Sequence, residues 1–239
     1  MPLSPKRILK QFKYGMYFNG VDNYVYVPHS DSLTVSYELT AIAWVNLFDP
    51  NIDQKLIGKS PIGSGWVIGV AGNRLYPEVW DSAGVKYSFR SGDIEANIWT
   101  FLATTWKTGE RYKGYINAVV VYDAVASANP IGYTTNPLKI GSEPWGNVFF
   151  TKVLISNALV YSRALSDSEI QYNYQNPYNP ITNGLVLWLQ ADPKYVKSNT
   201  WIDLSGYGNN GTIYGAQLMQ LEKTPARILN AKRVLGAVR

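Results

Sequence analysis

An all-β antiparallel sandwich or barrel is the fold class this sequence predicts, on three observations. Short runs rich in β-branched and aromatic residues recur along the chain. Turn signals separate them at intervals of about 8–15 residues, and helix signals are few. The 239 residues suffice for one large β domain or two small ones. At this size roughly 70–75% of the unfolded surface becomes buried on folding.

The elements follow in order. Residues 41–48 form an apolar run of β formers, followed by the turn Asp49-Pro50-Asn51. A second run covers 65–70, ended by Ala71-Gly72-Asn73, and a third covers 74–80, ended by Asp81-Ser82-Ala83-Gly84. Residues 99–106 place Trp99, Phe101, Ala103 and Thr105 on one strand face and Leu102 and Trp106 on the other. After Thr108-Gly109-Glu110 come runs at 112–117 and 118–122. Past Asn136-Pro137 lie a short run at 138–141 and a long one from Phe149 to Tyr161.

Ser166-Asp167-Ser168-Glu169 is a capping box and predicts a short helix reaching about Asn176. Two further helix starts, Ser4-Pro5 and Thr224-Pro225, put a capping hydroxyl before a proline. Pro177 and Pro180 mark a linker at 177–183, since each proline removes a backbone donor and restrains its neighbour to extended shapes.

Composition excludes several chemistries. There is no cysteine, hence no disulfide, thiolate metal site or Cys nucleophile. No stretch approaches the roughly 18 apolar residues of a membrane span, and the basic start lacks a signal peptide's apolar run. Net charge is +5, placed unevenly: residues 1–13 and 222–239 are strongly basic and the body between them is acidic. Such ends are expected to meet something negative, whether nucleic acid, a membrane surface or a neighbouring subunit. Arg7, Lys10, Arg227 and Arg233 stand for these arms, and residues 4–9 resemble residues 224–229.

The motifs then point to a family. Gly184-Leu185-Val186-Leu187-Trp188-Leu189 and the passage from Trp201 to Gly215 resemble the opening of a laminin-G-like, concanavalin A-like lectin/glucanase domain. The passage that normally follows sits near the start, from Gly15 to Pro28. Ala43-Trp44-Val45, Leu56-Ile57-Gly58-Lys59, Tyr115-Ile116-Asn117, Leu138-Lys139-Ile140-Gly141 and Val160-Tyr161-Ser162-Arg163-Ala164-Leu165-Ser166 resemble further family motifs. The resemblance implies a two-sheet jelly-roll sandwich with permuted strand order and one to three short helices. The divisions expected are an arm at 1–13, a main sandwich at 14–176, the linker at 177–183, displaced opening strands at 184–221 and an arm at 222–239. Those opening strands complete either their own sandwich or a neighbour's.

The family's acidic triplet before its "Ile-Tyr" strand is here Ser156-Asn157-Ala158, and its paired acids are here Asp22 and Asn23. With Glu143, these two are the calcium ligands that can be named, but calcium needs several hard oxygens and is not favoured. Glycan binding stacks sugar faces on exposed rings, and Trp145, Trp80 and Tyr76 are the candidates, with six of the eight tryptophans expected in the core.

Glycoside hydrolysis needs two carboxylates across the bond. Asp93 and Glu95 have strand-face spacing but lie in a loop, and His29 is the only histidine. No phosphate-binding loop is present. The expected function is a non-enzymatic structural or adhesive subunit of a virion (capsid, turret, decoration or tail) or of an extracellular or cell-surface assembly, contacting copies of itself. The alternative is a monomeric lectin that binds surface glycans.

Overall fold

The central strands are apolar at successive positions, too apolar on both sides for a sheet with one face in water, and the structure explains why. In this computed structural model, residues 12–146 and 148–221 are described. The terminal helix starts and the arms with Arg7, Lys10, Arg227 and Arg233 lie outside the described residues.

In chain order the strands are β1 (Tyr14–Asn19), β2 (Tyr24–Val27), β3 (Glu38–Leu47), β4 (Gln54–Lys59), β5 (Gly65–Ala71), β6 (Arg74–Leu75), β7 (Glu78–Trp80) and β8 (Lys86–Ser88). Then come β9 (Trp99–Lys107), β10 (Arg111–Ile116), β11 (Val119–Val125), β12 (Leu138–Ile140) and β13 (Lys152–Tyr161). Helix α1 (Asp167–Gln175) precedes β14 (Leu185–Gln190), β15 (Val196–Lys197), β16 (Thr200–Trp201), β17 (Gly211–Tyr214) and β18 (Gln217–Gln220).

They form two antiparallel sheets, an all-β sandwich as expected. The smaller has the order β11-β10-β9-β3-β13-β1-β18, with β14 also paired to β13. The larger runs β15-β16-β17-β2-β12-β4-β5-β7-β8, with β6 on β5. Residues 184–221 pair within this chain: β14 with β13, β17 with β2, and β18 with β1. Long β13 carries β1 and β14 end to end along one side, with a register shift between Ile155 and Asn157. That bulge changes the parity of the strand, so Ile155 and Ala158 both point between the sheets.

The main core fills the space between the sheets, with Phe18, Leu56, Ile68, Trp106 and Trp201 among its members. A second apolar cluster lies on the outer side of the smaller sheet. There Ile42, Trp44, Phe101 and Tyr161 meet Ile170 and Tyr174 of α1. Phe12 joins them, its ring 5.0 Å from Trp44 and 4.8 Å from Trp99. The helix starts where its capping box requires: Ser166 Oγ accepts from the Glu169 amide, and the Glu169 carboxylate accepts from the Ser166 amide. Arg163 grips the same carboxylate with two bonds of 2.9 and 2.7 Å, holding it down at a pKa of about 2.

Two expected runs need correction. Residues 74–80 form two short strands, because Pro77 cannot donate to a ladder. The long run begins at Lys152, since Phe149 adopts a left-handed turn conformation (φ 50°). Of the eight tryptophans, six are buried, and Trp145 and Trp188 are half-buried.

Candidate functional site

The outer face of the larger sheet is where charge and aromatic rings gather. Strand parity puts them there. Trp66, Ile68 and Val70 of β5 face the core, which turns Val67 and Gly69 outward; Val79 of β7 faces the core, which turns Glu78 and Trp80 outward. Strand register then aligns a row across the sheet: Thr212, Tyr26, Lys139, Gly58, Val67, Glu78 and Ser88.

A loop from Gly141 to Phe149 lies over the middle of this row. Gly58 makes that possible, because a Cβ there would come within 2.7 Å of Pro144. The loop closes on itself through the Glu143 amide, which donates to Val148 O at 3.2 Å. It is tied to the sheet by Lys139 Nζ, which donates to Gly146 O at 3.0 Å. Its Trp145 ring meets Trp80 edge-on, 5.9 Å between centroids at 88°.

Beside these rings runs a charged network. Lys55, almost wholly buried, reaches Glu78 at 3.0 Å and Asp53 at 3.4 Å. It crosses Gly69, where a Cβ would stand 3.3 Å from the Lys55 Cδ. Lys86 holds the other Glu78 oxygen at 3.2 Å and lies 6.0 Å over the Trp80 ring. Tyr76 is flanked by two cations, Lys55 Nζ at 4.7 Å and the Arg90 guanidinium at 4.6 Å from its ring. Burial alone would raise the Glu78 carboxyl. The Lys55 charge and hydrogen bonds from Lys55, Lys86 and Tyr76 outweigh it and hold the group below its usual range.

Glu143 is the opposite case. Burial pushes its carboxyl up to about 7; Lys55 opposes this, while Glu78 and Asp53 add to it. Its Oε2 is buried with no hydrogen-bond partner.

The glycan candidates are thus brought together but not made equal. Trp145 presents a half-exposed ring, Tyr76 is half-buried between cations, and Trp80 is buried. Trp80 therefore supports Trp145 and offers little surface of its own. The calcium candidates are not brought together. Asp22 accepts from the Asn19 and Asn23 side-chain amides, and Asn23 Oδ1 accepts from the Asn19 amide, so both are occupied in the β1–β2 turn. Glu143 belongs instead to the Lys55 network. Among the described residues no group of three or more His, Asp or Glu side chains gathers to hold a metal. Asp93 and Glu95 are exposed on either side of buried Ile94.

Sequence reasoning missed a second aromatic pair on this face, beside the lysine that ties the loop down. Tyr24 and Tyr214 stack at 4.7 Å and 12°, with Lys139 Nζ 5.3 Å over Tyr24. The alternation Tyr24-Val25-Tyr26-Val27, with valines buried, was the available signal.

The sequence profile Laminin_G_3, of the concanavalin A-like lectin/glucanases superfamily, matches residues 19–171. The chain belongs to that superfamily. No curated protein sequence matches it. Among solved structures it is similar to a Bacteroides ovatus ATCC 8483 protein provisionally described as carbohydrate-binding. That match has TM-score 0.68 and 17% identity, and covers 88% of this chain and 60% of that one. It is also similar to the binding domain of botulinum neurotoxin serotype G, with TM-score 0.57 and 15% identity over 69% of this chain and 42% of that one. A heptameric SAP-like pentraxin from Limulus polyphemus matches at TM-score 0.52 and 14% identity, over 68% of this chain and 82% of that one. The chain spans less than two thirds of the first two structures. At these identities the likeness is one of fold. No helix among the described residues is long and apolar enough to cross a membrane.

Proposed function

We propose that this superfamily member is a carbohydrate-binding module, with the sugar resting on the outer face of the larger sheet against Trp145. The observation that carries the reading is the Trp145 ring, propped by Trp80 and rimmed by lysines and carboxylates. A pyranose offers an apolar face to such a ring and hydroxyls to the charged rim. The fold likeness to a provisionally described carbohydrate-binding protein and to a toxin binding domain supports it.

Binding without turnover is the reading for Glu78 and Glu143. They are 5% and 1% exposed, so neither carboxyl reaches a substrate's glycosidic oxygen without the loop moving. The test is a glycan array with the full chain and Trp145→Ala. The variant is expected to keep its melting temperature within a few degrees and to lose at least tenfold in affinity for every glycan bound. Unchanged binding by Trp145→Ala removes this face from the function.

The finer proposal is that binding serves an adhesive subunit of a virion or surface assembly. The adjacency of the two ends of the described body favours it: Leu221 N donates to Lys13 O at 2.8 Å, so both basic arms depart from one place. A full chain that sediments as a monomer at every concentration would exclude it.

A further inference from the structure

Away from the outer face, a small cavity lies between the segment after Asp31–Leu33 and the paired ends of β4 and β5. It is lined by Leu33, Thr34, Val35, Lys59, Trp66 and Thr134, together with neighbouring backbone. It has room for about one water-sized body. Lys59 and Trp66 are directly opposed in the β4–β5 ladder, so their side chains leave the sheet on the same side.

Three polar groups there are under-satisfied. Lys59 is 2% exposed, and its ammonium donates to Thr134 O at 2.5 Å. Among the described residues it has no carboxylate partner. The Trp66 Nε1–H and the Thr34 hydroxyl are buried with no hydrogen-bond partner. Leaving a buried donor unmet costs about 1–3 kcal/mol, and an unpaired buried charge costs more.

We propose that this cavity is a binding site for one monovalent halide, held by the Lys59 ammonium, the Trp66 indole N–H and the Thr34 hydroxyl. A water molecule meets the donors but leaves the ammonium without a counter-charge; a halide accepts from all three and supplies that charge. Burial lowers Lys59 to about 8, which leaves it cationic at neutral pH. None of the residues lining the cavity belongs to the Trp145 face, so this site is separate from that face and independent of the reading proposed for it.

The experiment uses bromide and the full chain. Crystals soaked in sodium bromide are expected to show an anomalous peak within hydrogen-bond reach of Lys59 Nζ and Trp66 Nε1. In solution, replacing gluconate with chloride at constant ionic strength is expected to raise the melting temperature by about 3–5 °C at tenfold excess over the dissociation constant. Lys59→Met keeps the alkyl stem and is expected to lose both the peak and the chloride response. Trp66→Phe, which removes only the N–H and part of the ring, is expected to reduce the response and decides the matter if Lys59→Met fails to fold. A cavity that holds water in bromide-soaked crystals overturns the proposal. So does a chloride response that survives both substitutions.

Discussion

The two sheets of this sandwich share one core, yet their outer faces have opposite fates. On the smaller sheet the outward positions are Ile42, Trp44, Phe101, Leu159 and Tyr161, and α1 with Phe12 seals them. On the larger sheet the outward positions are Lys55, Glu78, Trp80, Lys139 and Tyr24, and among the described residues no helix covers them, the loop over Gly58 lying across the middle. Both faces are aromatic. The first buries rings against rings, as with Tyr174 stacked on Trp44 at 5.4 Å and 14°. The second sets rings among charges and leaves Trp145, Tyr24 and Tyr76 half-exposed and Tyr214 exposed. An aromatic face reads as core when a helix covers it and as a binding surface when charges border it.

That contrast can be broken at several points. Lys55→Met should have the largest effect, because it leaves buried Glu78 with Lys86 alone, and half-exposed Asp53 without this cation, beside a raised Glu143. Chemical denaturation at neutral pH is expected to show a loss of about 3–5 kcal/mol. A loss under 1 kcal/mol would mean the network is solvated and the face less rigid than described.

Ile170→Ala, under the sealed face, should cost about 3 kcal/mol through the cavity it leaves. It should leave glycan affinity unchanged, since α1 and Trp145 lie on opposite sides of the molecule. A drop in affinity would show that the two faces are coupled.

Glu143→Gln should have the smallest effect and the most specific signature. The folded-state pKa of about 7 lies above the ordinary carboxylate range, so folding favours the protonated form. That contribution is full below about pH 4.5 and is lost as pH rises to 7. Gln copies the protonated form at every pH. Melting curves of the two proteins are expected to coincide near pH 4.5 and to separate up to pH 7, with the variant more stable by about 1–3 kcal/mol above it. Parallel curves would show that Glu143 is solvated.

How much of this could be read from the chain depends on how local the cause is. Ser166 and Glu169 meet within one helical turn, so the helix was legible. The two-sided burial of residues 99–106 was legible because it is written in the alternation itself. The charged network was not. Lys55 and Glu78 are 23 residues apart, and the lysine reaches the carboxylate closely past Gly69, which has no side chain to crowd it. Trp80 and Trp145 look equivalent as residues near turns. Which one lies underneath is decided by a loop that crosses the sheet where Gly58 allows it. The parity change at Ser156 is likewise invisible, since nothing in Ile155-Ser156-Asn157-Ala158 signals which residue the ladder skips. The arms rest on residues outside those described, and their role stays with the assembly proposal.

The pairing of β18 with β1 has a practical side. Whatever is spliced to the front of Tyr14 and whatever is spliced behind Gln220 emerges from the same corner of the sandwich. Two fused tags would therefore jostle each other there and leave Trp145 unobstructed. Joining these neighbouring ends by a short bridge and cutting the polypeptide at another surface turn would rearrange its order without rearranging its shape.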